Sequence, residues 1–267
     1  GIVAAAVTAL FALRLQEHGV EDAELLVPLA FSIIIGTVVL QGTTSKFLAR
    51  LLGVAEPDDN GFLIIGANPV SRMLAHALND NDFNSLVTDD SWTNIKLARM
   101  EGLKSYYGNA ISEHASRHLD LVGLGHLLAM SPQKENNALV GQHYRSEFGS
   151  NRIYFLSSEP DSEKQEEDQN SRTSINYGHQ VLFSHDTTFS KLASLISQGA
   201  QTRHTTISDS FTYQDYKEQY GKRAIPLFSF NEKRQLQFFT SEIDFIPSPG
   251  TTITALVQEQ ADDLKLE

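Results

Sequence analysis

The stretch from Gly61 to Asp90, GFLIIGANPVSRMLAHALNDNDFNSLVTDD, constrains the fold more than any other part of this 267-residue chain. An apolar run, Phe62 to Ile65, meets a turn of small residues. Apolar positions then recur with helical spacing at Met73, Leu74, Ala77 and Leu78, and a second apolar run ends in Asp89 and Asp90. A short, wholly apolar run bounded by glycines is the pattern of a buried parallel strand. The stretch therefore reads as strand, turn, helix, strand, and its turn lies where backbone N–H groups at a helix N-terminus face an anion.

The alternation continues downstream. Helical patterns over Trp92 to Glu101, Ser112 to Leu121 and Asn136 to Phe148 interleave with short extended runs at Lys104 to Tyr107, His126 to Met130 and Arg152 to Leu156. That order predicts an α/β fold with a Rossmann-like parallel sheet over 61–158 and helices on both faces. Residues 159–175 begin with a run of acids and read as a solvated linker. Over 176–258 a smaller C-terminal α/β domain is expected. Its strands are read at Gln180 to Phe183 and Thr202 to Ile207, its helices at Thr188 to Ser197 and Tyr213 to Tyr220, and a hairpin joins Ala224 to Phe230 with Gln235 to Thr240. Residues 259–267 read as a tail.

Ahead of this lies an apolar N-terminal part, 1–52. The run from Leu25 to Ser45 carries no charge and is long enough, as a helix, to cross a bilayer core of roughly 30 Å. GIVAAAVTALFAL lacks the basic start of a signal peptide and reads as the remainder of a second membrane helix, so two transmembrane helices are expected. Lys46 and Arg50 follow the charge-free run, whereas the segment before it is mostly acidic. The positive-inside tendency therefore places the region after residue 52 in the cytoplasm. The joint over 53–60 is short enough to pass a movement of the soluble part to the helix.

A net charge of −12 argues against a nucleic-acid partner, which needs a basic face. Zero cysteines exclude a disulfide framework, a thiolate zinc site and a cysteine nucleophile. His114 and His118 are spaced to share a helix face without a third ligand or an HExxH glutamate, so they read as a solvated face and no metal site is expected.

A dinucleotide loop places small residues at three positions: the tight turn, the approach of backbone to pyrophosphate, and the packing of helix on strand. Here these are Gly66, Asn68 and Ser71. Asn tolerates left-handed backbone better than other non-glycine residues, and Ser caps helices well, so the loop shape is expected to persist. Asp89 ends the second strand, where a carboxylate accepts hydrogen bonds from ribose hydroxyls and disfavours a 2′-phosphate.

Three features together resemble the regulator of potassium conductance (RCK), or TrkA N-terminal, nucleotide-binding domain: FLIIGANPVSRMLAHAL with the strand ending LVTDD, the YYGNA turn at Tyr106 to Ala110, and LLAMSPQKENN. GIVAAAVTALFAL and VPLAFSIIIGTVVLQGTTSKFLARLLG resemble the last two membrane helices of NhaP-type sodium/proton antiporters of the cation/proton antiporter family. The resemblance implies NAD(H) or an adenine nucleotide (AMP, ADP or ATP) held by Gly66, Ala67, Asn68, Pro69, Val70, Asp89 and Asp90. Gly108, Asn109 and Ala110 would lie near base or ribose. It also implies a multi-pass protein of the cell (inner) membrane, a homodimer, an upstream transmembrane transport domain, and an ion site upstream of this chain. The expected function is regulation of monovalent cation/proton exchange, with no catalysis by the soluble part. The alternatives are a regulatory RCK subunit of a potassium channel or uptake system and, third, an NAD-dependent oxidoreductase.

Overall fold

The computed structural model describes residues 2–52, 59–157, 180–184, 186–242 and 245–258. The chain divides into two compact units, 1–57 and 58–267. The expected linker over 159–175, the tail over 259–267 and most of the joint over 53–60 lie outside the described residues.

The first unit contains helix α1 (Ile2–Glu17) and helix α2 (Leu26–Leu51), which pack against each other. Among the described residues one helical stretch, Ala23–Ala49, is long and apolar enough to cross a membrane. The remainder of a second membrane helix expected over GIVAAAVTALFAL is helical here as α1, which at 16 residues spans about 24 Å. On α2, large apolar side chains such as Phe31, Ile33, Ile35, Val38 and Leu40 are all exposed, an arrangement suited to lipid rather than water.

The second unit opens with a six-stranded parallel sheet. Its strands are β1 (Gly61–Ile65), β2 (Ser85–Asp89), β3 (Ser105–Tyr107), β4 (Leu124–Ala129), β5 (Ile153–Phe155) and β6 (Gln180–Val181), in the order β3-β2-β1-β4-β5-β6. All five β1 residues are buried, as expected of a central strand covered on both faces. The connecting helices are α3 (Pro69–Asn79), α4 (Trp92–Met100), α5 (Glu113–His118), α6 (Lys134–His143) and α7 (Arg145–Phe148). Helix α3 buries Val70, Leu74, Ala75, Ala77 and Leu78 against the sheet. One continuous helix was expected over Asn136 to Phe148. The structure breaks it at Tyr144, whose backbone leaves helical geometry while its buried hydroxyl reaches the Ala110 carbonyl at 2.6 Å.

The remaining elements are helix α8 (Phe189–Ser197), strand β7 (Gln201–Thr206), helix α9 (Tyr213–Tyr220) and strands β8 (Ala224–Phe230), β9 (Leu236–Phe238) and β10 (Thr252–Val257). Strands β7 to β10 form an antiparallel sheet in the order β7-β10-β8-β9. The smaller second sheet and the β8–β9 hairpin follow the sequence expectation. Strand β10, central in that sheet, does not, because the sequence reading assigned no strand there. The strand read at Gln180 instead joins the parallel sheet beside β5. Helix α9 is held by a full capping box, with the Thr212 N–H donating to Asp215 at 2.7 Å.

The two sheets share one core. Phe62 and Leu74 from the first sheet and its helices lie in the same buried cluster as Leu192 of α8, Phe228 of β8, Phe238 of β9 and Leu256 of β10. Within it, the Phe62 ring meets Phe238 edge-on at 5.5 Å and stacks on His126 at 5.0 Å. His126 Nδ1 is buried with no hydrogen-bond partner. Burial, reinforced by Arg152, pulls its pKa from 6.5 down to about 4, with Gly61 and Asp59 opposing.

The unfolded chain therefore takes up this proton near pH 6.5 while the folded chain resists it down to about 4. Stability from His126 is complete above pH 6.5 and is lost as pH falls through that window, at most about 3 kcal/mol. Denaturation of wild type and His126→Leu should diverge between pH 7 and about pH 4, with the variant flatter. Parallel pH profiles would refute the assignment.

Candidate functional site

Strand β1 ends at a left-handed residue, Gly66 at φ +96°, whose N–H donates to the Thr88 carbonyl at 2.7 Å. A glycine is required there on conformational grounds. Asn68 is the N-cap of α3 in extended backbone, φ −70°, so the left-handed conformation anticipated for it is absent. The capping role expected of Ser71 also belongs to Asn68, whose Oδ1 accepts from the Ser71 N–H at 3.0 Å. Ser71 is fully buried and its hydroxyl has no partner, consistent with a position chosen for size at the helix–sheet contact. Pro69 occupies the first helical position, where its missing N–H removes one donor from the loop.

Asp89 lies at the C-terminal end of β2, where the sequence put it. Its Oδ2 accepts from the Ala67 N–H at 2.7 Å and from Asn94 Nδ2 at 3.0 Å, and its Oδ1 accepts from the Ser91 N–H at 2.7 Å. A carboxylate offers about four acceptor directions, so three bonds leave one open, on Oδ1. Asp90 is exposed beside it.

Gly108, Asn109 and Ala110 follow β3 on the same edge of the sheet. The Gly108 N–H donates to the Asp89 carbonyl at 2.9 Å, and Asn109 Oδ1 accepts from the Ile111 N–H at 3.0 Å. Ala110 is buried and pinned by Tyr144. The structure thus brings Gly66 to Val70, Asp89, Asp90 and Gly108 to Ala110 to one rim, the C-terminal ends of β1, β2 and β3. His114 and His118 stack with ring centroids 4.1 Å apart, and His114 Nδ1 lies 2.7 Å from the Tyr106 hydroxyl. A cavity of about 260 Å³, lined by Asn79, Asp82, Asn84 and Lys104 among others, lies at the opposite end of β2.

Several residues at this rim escaped the sequence reading. Arg72 donates from Nη1 to the Ala67 carbonyl at 2.8 Å and from Nε to both Glu101 oxygens at 3.0 Å, so a guanidinium beside the loop is already neutralised. Asn94, in the first turn of α4, could have been found as a polar residue one helical turn from Asp89. Asn68 Nδ2 donates to the Met130 carbonyl at 2.7 Å, a contact across 62 residues of chain that no local pattern signals.

This rim belongs to a sheet whose order turns back at the β1/β4 boundary, the usual place for a nucleotide in doubly wound folds. Residues 62–173 match the family model of the TrkA-N domain. That stretch of the chain is therefore similar to a TrkA-N domain. Among solved structures, the TrkA-N domain of the inner membrane protein ybaL from Escherichia coli is 22% identical over 36% of this chain and 72% of that one, with a TM-score of 0.32. The NAD(P)-binding domain of an exopolyphosphatase-related protein from Archaeoglobus fulgidus is 24% identical over 38% and 75%, with a TM-score of 0.34. The GsuK channel bound to NAD is 14% identical over 89% of this chain and 46% of that one, with a TM-score of 0.37. This chain thus spans less than half the length of that channel. No curated protein matches the sequence. Within the matched stretch the first strand, turn and helix are β1, Gly66 to Asn68, and α3.

Proposed function

We propose that the TrkA-N-like domain binds a nucleotide at the rim formed by Gly66 to Val70, Asp89 and Gly108 to Ala110, and that binding regulates a monovalent cation/proton antiporter. The observation that carries this reading is Asp89. Its carboxylate is anchored to the loop N–H of Ala67 and keeps one acceptor direction toward the rim, where a ribose hydroxyl would donate. Phosphate oxygens would meet the N–H groups of Asn68 and Val70, which have no acceptor among the described residues. The ligand does no chemistry in this reading. It favours one arrangement of the domain, and the joint over 53–60 passes the preference to the apolar helix.

The antiporter context is supported by the apolar Ala23–Ala49 helix ahead of the domain, and the cations Lys46 and Arg50 that follow its charge-free run fit a cytoplasmic position for the domain. An upstream transport domain in the same protein and a homodimer complete the reading. Exposed Trp92, Met100 and Tyr107 beside edge strand β3 favour a second copy there, and light scattering of the detergent-solubilised chain decides that point. A regulatory subunit of a potassium channel fits the same domain. A selectivity-filter sequence upstream would favour it, and an intramembrane acid pair would favour the antiporter.

Calorimetry on the solubilised chain should show heat with AMP, ADP, ATP or NAD(H). Asp89→Ala should weaken that binding by about tenfold or more, since a charge-assisted bond to ribose is lost. Equal affinity in the variant would remove Asp89 from the site, and the absence of heat with all these ligands would end the nucleotide reading. Cation-driven proton movement in vesicles carrying the whole protein, with and without the bound nucleotide, tests the coupling.

A further inference from the structure

We infer that Asn68 latches the crevice between β1 and β4, so that the rim takes a single nucleoside monophosphate on its β2 side and excludes a dinucleotide. The inference rests on the nucleotide-binding reading and narrows it to one ligand class. In a sheet ordered β3-β2-β1-β4-β5-β6, a dinucleotide must cross from the β2 side to the β4 side through the β1/β4 gap, because the strand connections diverge there.

In this chain that gap is bridged. Asn68 is 7% exposed, and its amide is fixed at both ends: Oδ1 on the Ser71 N–H at 3.0 Å and Nδ2 on the Met130 carbonyl at 2.7 Å. A methyl added at Gly66 would meet Asn68 Nδ2 at 3.2 Å and the Met130 carbonyl at 3.4 Å, so the three groups close on one another without a gap.

The β4 wall is spoken for as well. Buried Asn137 accepts from the Ser131 N–H at 3.0 Å and donates to the Ser131 carbonyl at 2.8 Å, which uses both backbone groups just past the end of β4. A second nucleoside arriving there would find them occupied.

The donor supply points the same way. The Ala67 N–H is taken by Asp89, the Ser71 N–H by Asn68, and Pro69 has none. Asn68 and Val70 are the loop N–H groups left, enough for one phosphate. The nearby Arg72 is engaged by Glu101, so a second or third phosphate would have to compete with that carboxylate for its charge. On the β2 side the rim is open, with Asp89 partly exposed and Asp90 and Asn109 exposed.

The test is calorimetry on the solubilised chain with AMP, ADP, ATP and NAD+, for wild type, Asn68→Gly and Asn68→Ser. Glycine and serine both serve as N-caps, so both variants should fold, and serine keeps the cap while unlatching the gap. Wild type should bind AMP at least about tenfold more tightly than NAD+, and both variants should shift the AMP-to-NAD+ affinity ratio by about tenfold toward NAD+.

Wild type binding NAD+ as tightly as AMP would overturn the inference, as would variants whose AMP-to-NAD+ ratio is unchanged. If wild type bound none of the four and the variants bound NAD+, the latch would stand and the native nucleotide-sensing reading would fail. If nothing bound to any of the three proteins, both would fail.

Discussion

A Gly125→Ala substitution is expected to destabilise the second unit by about 3 kcal/mol or more, a large share of a typical domain's stability. The glycine lies in β4 directly under the incoming chain. A Cβ there would run into the Asp59 carbonyl, with the Asp59 carbonyl carbon at 2.7 Å and its Cβ at 2.9 Å. Two backbone segments cannot rotate away from each other as side chains do, so relief requires lifting Asp59 off the strand. Chemical denaturation should show a midpoint far below wild type. A change under about 1 kcal/mol would mean that Asp59 is not held there. The same contact seats the end of the joint on the central part of the sheet, so the variant should also loosen whatever the joint transmits.

Phe62→Ala is the second large effect, expected at about 3–5 kcal/mol because the ring is fully buried and the space it leaves is walled by rigid neighbours. Phe83 meets it edge-on at 6.3 Å, His126 stacks on it, and Phe238 brings in the second sheet. Since both sheets contribute to this cluster, unfolding should remain a single transition. Trp92, the only tryptophan, reports the first sheet, and circular dichroism reports both. Coincident curves shifted together are the expected result. A Trp92 transition that moved while half of the dichroism signal stayed would restore the two independent domains drawn from the sequence at 61–158 and 176–258.

Much of the site was legible in the sequence because it is local. From Gly61 to Asp90, each strand, turn and helix is specified by neighbours within a few residues. A glycine is needed where the chain turns left-handed, and an acid at the end of the second strand has few other places to point. Gly66, Asp89 and the turn at Gly108 to Ala110 therefore fell where spacing put them. The roles within the loop did not. Whether Asn68 or Ser71 caps α3 depends on backbone angles that both residues can satisfy, and Asn68 won because its amide could also reach Met130.

The sequence by itself determined the alternating strands and helices, the apolar helix ahead of them, and the rim on which an anion could sit. Those follow from periodicity, glycine and charge, which act over one or two turns of chain. Only the tertiary structure decided that β10 is central in the second sheet, that β6 belongs to the first, that the two sheets share Phe62 and Phe238, and that Asn68 closes the crevice. Each of these joins residues tens to more than a hundred positions apart. Such pairings are chosen by which surfaces the whole fold can bury together, and no local pattern encodes that choice.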